Sequence, residues 1–436
     1  FYSGEREGRK VILPSRLGFQ FRDTPAIRDG LEITGSERGD VDEVWEQPWG
    51  ESQFVVDRHN ELRASVAETG GPGRSFAVVF RVFDDGVGFR YEFPEGSGLG
   101  EFAITDELTE FHLADDPRAW WIPASDPTHR YELLYRSSPM STLPEVHTPL
   151  TLETLDGLYL VIHEADLVDY AGMKLTSSWE RRHSGTLPAW ADGVKVYGQT
   201  PFVTPWRTIQ IADRVADLMP STIGLNLNPP NALEDVSWVE PMKYVGIWWG
   251  MHINTVTWGS GPQHGATTEN TRRFIDFAAE NGFGGVLVEG WNVGWDGDWI
   301  ANADLFSFTE AYPDYDLLGL ANYANGRGVT LIAHNETSMG VENYENQLDE
   351  AFALYERLGI RALKTGYVGD KTAEGHAHHG QYMVRHWRRV IETAARHGIM
   401  LNVHEPIKDT GAVSYTHLTL PTKVLGGRAR GGAGRG

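Results

Sequence analysis

Two glutamates close apolar runs in the second half of the sequence: Glu336 ends VTLIAHNE and Glu405 ends IMLNVHE. Short apolar runs rich in β-branched residues read as buried strands, so each carboxylate stands at the C-terminal end of one. Neighbouring strands lie about 4.8 Å apart, which sets carboxylates two strands apart roughly 8 to 10 Å from each other. A gap of that size admits a water, as in glycoside hydrolysis with inversion, whereas a covalent mechanism holds its pair at about 5 to 5.5 Å. The spacing therefore points to water activation by Glu336 and Glu405. A solvated strand end or a helix N-terminus would account for either Glu alone, but two in one layer, each within two residues of a histidine, favour chemistry.

Other polar residues fall at the same level. His334 and His404 occupy matching places in HNE and HE, where an imidazole can hold a sugar hydroxyl or tune the adjacent carboxylate. Lys364 ends the strand in RALKTGY and needs a partner inside the site, either Glu336 or a substrate hydroxyl. Glu289 ends GGVLVEG beside Trp291 and Trp295, whose rings suit either sugar stacking or loop packing. EGHAHHG (374 to 380) has three closely spaced histidines but not the spacing of a zinc motif, and reads as a βα-loop near the site. Glutamate clusters without cysteine suit Ca²⁺, and Glu405 is placed to serve both ion and water.

These residues need a parallel sheet to carry them. Strands at 243 to 249, 284 to 290, 329 to 336, 361 to 367 and 399 to 405 alternate with amphipathic helical stretches such as TTENTRRFIDFAAENG, LDEAFALYERLG and RHWRRVIETAARHG, each stopped by a glycine. Polar residues gathered at the C-terminal strand ends, with no glycine-rich phosphate turn, favour a (β/α)8 barrel over a doubly wound sheet, with five of its eight strands present. Up to residue 235 the chain reads instead as a β-sandwich. SFAVVFRVFDDGVGFRYEF and TLETLDGLYLVIHEADLVDY place alternating runs around Asp84-Asp85-Gly86 and Asp156-Gly157, with further strands in RTIQIAD and STIGLNL.

Composition bounds the function. The 436-residue chain carries a formal charge of −22, so the basic stripes that bind nucleic acid are absent. Fifteen Trp and no Cys leave flat apolar faces suited to sugars and exclude a disulfide framework. No run approaches the roughly 20 apolar residues of a membrane-spanning helix. The first residue is Phe, so the N-terminus reads as truncated or processed, and any signal peptide lies outside this sequence.

KYVGIWW, NTRRFIDFAAENGFGGVLVEGWNVGW, HNETS, LKTGYVGD, HHGQYMVRHW and IMLNVHE, with DDGVGFRYEFP, WWIP and TPWRTI before them, resemble glycoside hydrolase family 97 in order along the chain. The resemblance implies an N-terminal β-supersandwich, a (β/α)8 barrel, exo-acting α-glycosidase activity on oligosaccharides or α-glucosides, dependence on Ca²⁺, and a periplasmic or secreted location. Retaining members of the family carry an Asp where this chain has Gly366. Inverting α-glucosidase members have Gly there and use two Glu as base, matching Glu336 and Glu405. By the same resemblance Glu289, His334, Lys364 and His404 contact substrate, and Glu405 and Glu132 bind the metal. A retaining α-galactosidase, for which Asp370 stands four residues from the expected place, and a non-catalytic carbohydrate-binding protein are the rival readings.

The family's general acid and further metal ligands follow the HE motif, but no Glu follows Glu405 in this chain. Residues 412 to 436 turn basic and glycine-rich, and AVSYTHLTLPT back-translates to the transposon end and linker of sequencing libraries. The expected organisation is thus a sandwich over 1–235, a barrel of five strands over 236–411, and an adapter-derived, non-native stretch over 412–436. On that reading the general acid lies beyond Gly411 and the chain as it stands is inactive.

Overall fold

The computed structural model describes residues 1–47, 49–50, 52–124, 131–177, 182–369, 372 and 375–411. The 412–436 stretch and Asp370 lie outside the described residues. The chain divides into two compact units, one built on Phe1–Pro230 and taking in the described residues between Glu374 and Arg385, the other built on Asn231–Ala373 and His386–Asp409.

In the first unit a ten-stranded antiparallel sheet runs in the order Arg136–Pro139, Arg118–Trp121, Leu150–Glu153, Tyr159–Ala165, Trp206–Ala212, Gly86–Phe93, Ser75–Phe83, Phe54–Glu68 and Leu31–Glu46, with Phe202–Val203 added beside Gly86–Phe93. The expected hairpins form. Phe83 pairs with Gly86 across Asp84-Asp85, and Glu153 pairs with Tyr159 across the turn holding Asp156-Gly157, where Gly157 takes φ 89°. Smaller sheets cover this one, and Phe19 of a three-stranded sheet packs edge-on to Tyr91 at 4.6 Å. STIGLNL departs from expectation. Ile223–Asn226 is a helical turn, because that geometry puts Ile223 and Leu227 on one face against Val79, Phe83 and Trp206.

Between the layers, the fully buried Arg207 donates to Glu107 at 2.5 and 2.9 Å and to Glu164 at 2.6 Å. Burial works against the Glu107 carboxylate, but Arg207 holds its pKa below the usual carboxylate range.

The second unit carries five parallel strands, Tyr244–Ile247, Gly285–Val288, Thr330–Glu336, Ala362–Gly366 and Met400–Val403, hydrogen-bonded in chain order. Helices follow at Thr268–Asn281, Val341–Arg357 and Gln381–Arg396, and also at Leu317–Gly326, which the sequence reading did not single out. Thr267 caps the first through Asn270 N–H, and Gly282, at φ 71°, ends it. Asp316 caps the Leu317–Gly326 helix through Gly319 N–H at 2.9 Å.

Register explains how the site forms. Leu287, Ile332, Ala362 and Met400 are lateral neighbours and make one buried apolar layer. Side chains two residues on face the same way, so His334, Lys364 and Asn402 form the next layer, and Glu336 and Gly366 the one above. The sheet is rolled, since Asn402 of the fifth strand donates to the Tyr244 hydroxyl of the first at 2.5 Å. Four inter-strand steps would put these residues about 19 Å apart in a flat sheet.

Replacing Arg207 with Met leaves two carboxylates buried without their cation, and is expected to cost about 3 to 5 kcal/mol. Urea denaturation should show the loss at neutral pH. Because the folded pKa of Glu107 is depressed, the pair's contribution is present above the ordinary carboxylate pKa and lost as pH falls, so wild type and variant should converge in acid.

Candidate active site

The floor of the site is an ion pair with a buried histidine. Lys364 Nζ donates to Glu289 Oε1 at 2.6 Å, and Trp258 Nε1 donates to Glu289 Oε2 at 2.9 Å. The partner of Lys364 is therefore Glu289, where the sequence left Glu336 or a substrate hydroxyl open. His334 is 2% exposed, with Nε2 3.9 Å from Glu289 Oε1 and its ring stacked on Trp295. Burial pushes the imidazole down to about 3, so it is neutral at physiological pH. Burial also works against charge on Glu289, yet the facing His334 and Lys364 bring it down to about 2. Near pH 2 to 3 both cations act on it; at neutral pH Lys364 keeps it ionised.

One level up, Glu336 is 3% exposed. Its Oε1 accepts Ser338 N–H at 2.8 Å and Val368 N–H at 3.0 Å. Ser338 and Met339 take φ 47° and 61°, a left-handed turn that two non-glycine residues adopt at a cost. Glu405 Oε2 accepts the N–H of Tyr367 at 2.9 Å. Consecutive amides at the end of the fourth strand thus hold the two glutamates, and backbone dimensions then bound those two oxygens at about 10 Å apart or less. Gly366 leaves room for the Glu336 carboxylate, which any side chain there would have to turn aside. A Cβ there would lie 2.0 Å from Oε2 of Glu336.

The two carboxylates titrate differently. Burial, then the charge of Glu405, raises Glu336 to about 7. Burial would raise Glu405 too, but its contacts with His404, Tyr367 N–H and Lys364 hold it below the ordinary range. One group keeps its proton toward neutrality while its neighbour is ionised.

The two histidines are not equivalent, contrary to the HNE and HE comparison. His334 lies two residues before Glu336 and shares its face, whereas His404 lies one residue before Glu405 and would face the opposite way in an extended chain. The strand ends at Val403, and Glu405 takes φ 49°, which re-aims it. The His404 side chain is 52% exposed at the rim, with Nδ1 2.5 Å from Glu405 Oε1. Trp291 proves to be packing: it is 2% exposed and donates to the His334 carbonyl at 3.1 Å. Trp295 is buried and stacks on Trp258. The described part of the EGHAHHG stretch, 375 to 380, lies between the fourth strand and the Gln381–Arg396 helix, as a βα-loop does, and groups with the N-terminal unit, where His379 packs against Tyr131 and His147.

Glu132 is exposed in the N-terminal unit. Glu405 offers Ca²⁺ a carboxylate, but among the described residues no three His, Asp or Glu side chains gather in metal-binding geometry. That donor set falls short of the six to eight oxygens the ion takes, so no chemical step is routed through it. Three contributors carried no sequence signal of their own: the amides of Tyr367 and Val368, which are backbone, and Trp258, which lies in a loop without periodicity.

Folded Glu336 keeps its proton to about pH 7 while an ordinary glutamate loses it near 4.5, so stability falls as pH rises through that window. Glu336→Gln removes this loss. Above pH 7 it should be more stable than wild type by up to about 3 kcal/mol, converging with it near pH 4.5, as read by urea denaturation at a series of pH values.

Residues 1–230 match the family described as glycosyl-hydrolase 97 N-terminal, and residues 248–417 that described as glycoside hydrolase 97. Solved structures of a glycoside hydrolase family 97 enzyme from Pseudoalteromonas sp. strain K8, in complex with acarbose and, for a variant, with panose, superpose with TM-score 0.91 at 48% identity. They cover 94% of this chain, which spans 64% of theirs. Curated relatives are a probable retaining alpha-galactosidase of Streptomyces bingchenggensis, 27% identical over 92% of this chain, and a retaining alpha-galactosidase of Bacteroides thetaiotaomicron, 22% identical over 93%. The chain spans 57% and 61% of their respective lengths. With both halves matched in order by the two domains' models, the chain belongs to glycoside hydrolase family 97.

Proposed function

We propose that the whole protein is an exo-acting glycosidase that releases glucose from α-glucosides with inversion. The observation that carries this reading is the filled space over Gly366. A side-chain nucleophile there would collide with Glu336, whose Oε2 lies 2.0 Å from where its Cβ would be. With no nucleophile at that position, the two glutamates are left to work on water. Glu405, ionised, takes the proton of the attacking water, and Glu336 joins it as base once deprotonated. A general acid other than these two protonates the leaving oxygen, and water attacks the opposite face of the sugar. Glu289, Lys364, neutral His334 and the rim His404 supply donors and acceptors for hydroxyl groups. Support for glucose comes from the 48%-identical enzyme, since panose is built of α-linked glucose units.

The same proposal includes closure of the rolled sheet into a (β/α)8 barrel by further strands, binding of Ca²⁺ with Glu405 as one donor and the others supplied from outside the described residues, and a periplasmic or secreted location. The names of the curated relatives favour a second reading, a retaining α-galactosidase. That reading needs a nucleophile from outside the described residues, such as Asp370.

NMR of the first turnovers on an α-glucoside separates the two. Release of β-glucose is expected, and release of an α-anomer, or cleavage of α-galactosides alone, would overturn the proposal. Glu336→Gln and Glu405→Gln should each lower kcat by about 10² to 10⁴. Because a base must be ionised to act, kcat/KM should fall as pH drops through about 7, the value to which Glu336 is raised.

A further inference from the structure

One buried hydrogen-bond chain in the α/β unit takes no part in the chemistry above. The hydroxyl of Tyr367, itself fully buried, lies 2.9 Å from Nε2 of His386. Nδ1 of His386, a residue 1% exposed, lies 2.8 Å from Glu345 Oε1, and Arg389 donates to Glu345 Oε2 at 2.6 Å. The chain has one consistent direction. His386 and Arg389 hold Glu345 below the ordinary carboxylate range, so it accepts and Nδ1 of His386 donates. Nε2 then accepts from the Tyr367 hydroxyl, which burial keeps protonated. Trp387 packs edge-on against the Tyr367 ring at 4.0 Å.

The other end of Tyr367 faces the site. Its backbone N–H holds Glu405, and the next N–H, that of Val368, holds Glu336. Thr337 holds the Gly366 carbonyl through its N–H and its hydroxyl, each at 2.9 Å, so the start of this segment is fixed from the site side and the phenol is its anchor on the other. Repulsion between the two carboxylates works to spread it. The phenol end, tied to the Val341–Arg357 and Gln381–Arg396 helices, resists that spread.

We infer that Tyr367, His386 and Glu345 form a positioning relay that fixes two consecutive amides and, through them, both catalytic carboxylates. The inference rests on the functional reading given above. None of the three residues touches substrate. Their effect is geometric, and displacement of reacting groups by about 1 Å is enough to slow chemistry markedly.

In the whole protein, Tyr367→Phe keeps the ring and removes only the relay's first bond. It is expected to lower kcat about tenfold while KM stays within about twofold. Glu345→Ala should act in the same direction, and Glu345→Gln, which can still accept from His386, should restore turnover. A structure of Tyr367→Phe should show the amide-to-carboxylate distances stretched past about 3.5 Å. Unchanged kcat in folded Tyr367→Phe would overturn the relay, as would Glu345→Gln performing no better than Glu345→Ala. Should the wild type cleave no α-glycoside, the functional reading fails by itself. The relay is then decided by the amide distances in the Tyr367→Phe structure, and retained distances would overturn it.

Discussion

Two carboxylates buried near one another repel, and with little water to screen them the repulsion is worth several kcal/mol unless one keeps a proton. Much of the α/β unit is arranged around that fact. Glu405 is given a histidine, an amide and the field of Lys364, and stays ionised. Glu336 receives two amides on one oxygen and no cation in hydrogen-bond contact, and is pushed toward neutrality. A strand-end segment with consecutive N–H groups exposed to both is what allows the pair to coexist, and the left-handed residues at 338, 339 and 405 are what that placement demands of the backbone.

The same physics recurs wherever charge is buried in this chain. Glu289 is ionised because Lys364 and Trp258 satisfy both its oxygens, and Glu107 because Arg207 and its neighbours do. In each case the polar cluster sits directly on an apolar layer. In the parallel sheet this follows from register, since Leu287, Ile332, Ala362 and Met400 fill one level and the polar residues begin at the next. Strand order gives the site its residues, and register gives it its floor.

Periodicity made much of this legible. Alternation around Asp-Gly turns located the hairpins, and apolar runs located five parallel strands to within a residue or two at most ends. Glu289, His334, Lys364, Glu336 and Glu405 were visible because polar residues at the ends of apolar strands are conspicuous. Sequence patterns were blind where conformation departs from the period. Nothing in NVHE announces the left-handed turn at Glu405, so His404 and His334 looked alike although one is at the rim and the other in the floor. Backbone donors such as the Tyr367 and Val368 amides have no letter of their own. STIGLNL alternates like a strand, and only the packing of Ile223 and Leu227 against Trp206 makes it helical.

Gly366 carries a consequence for how such chains diverge. A glycine codon becomes an aspartate codon by a single base change, which makes passage between inverting and retaining chemistry look one step long. Here the space is taken by the carboxylate of Glu336, so an aspartate arriving alone must push that side chain aside. A change at that one codon is therefore felt at two places, the new side chain and the carboxylate it turns aside.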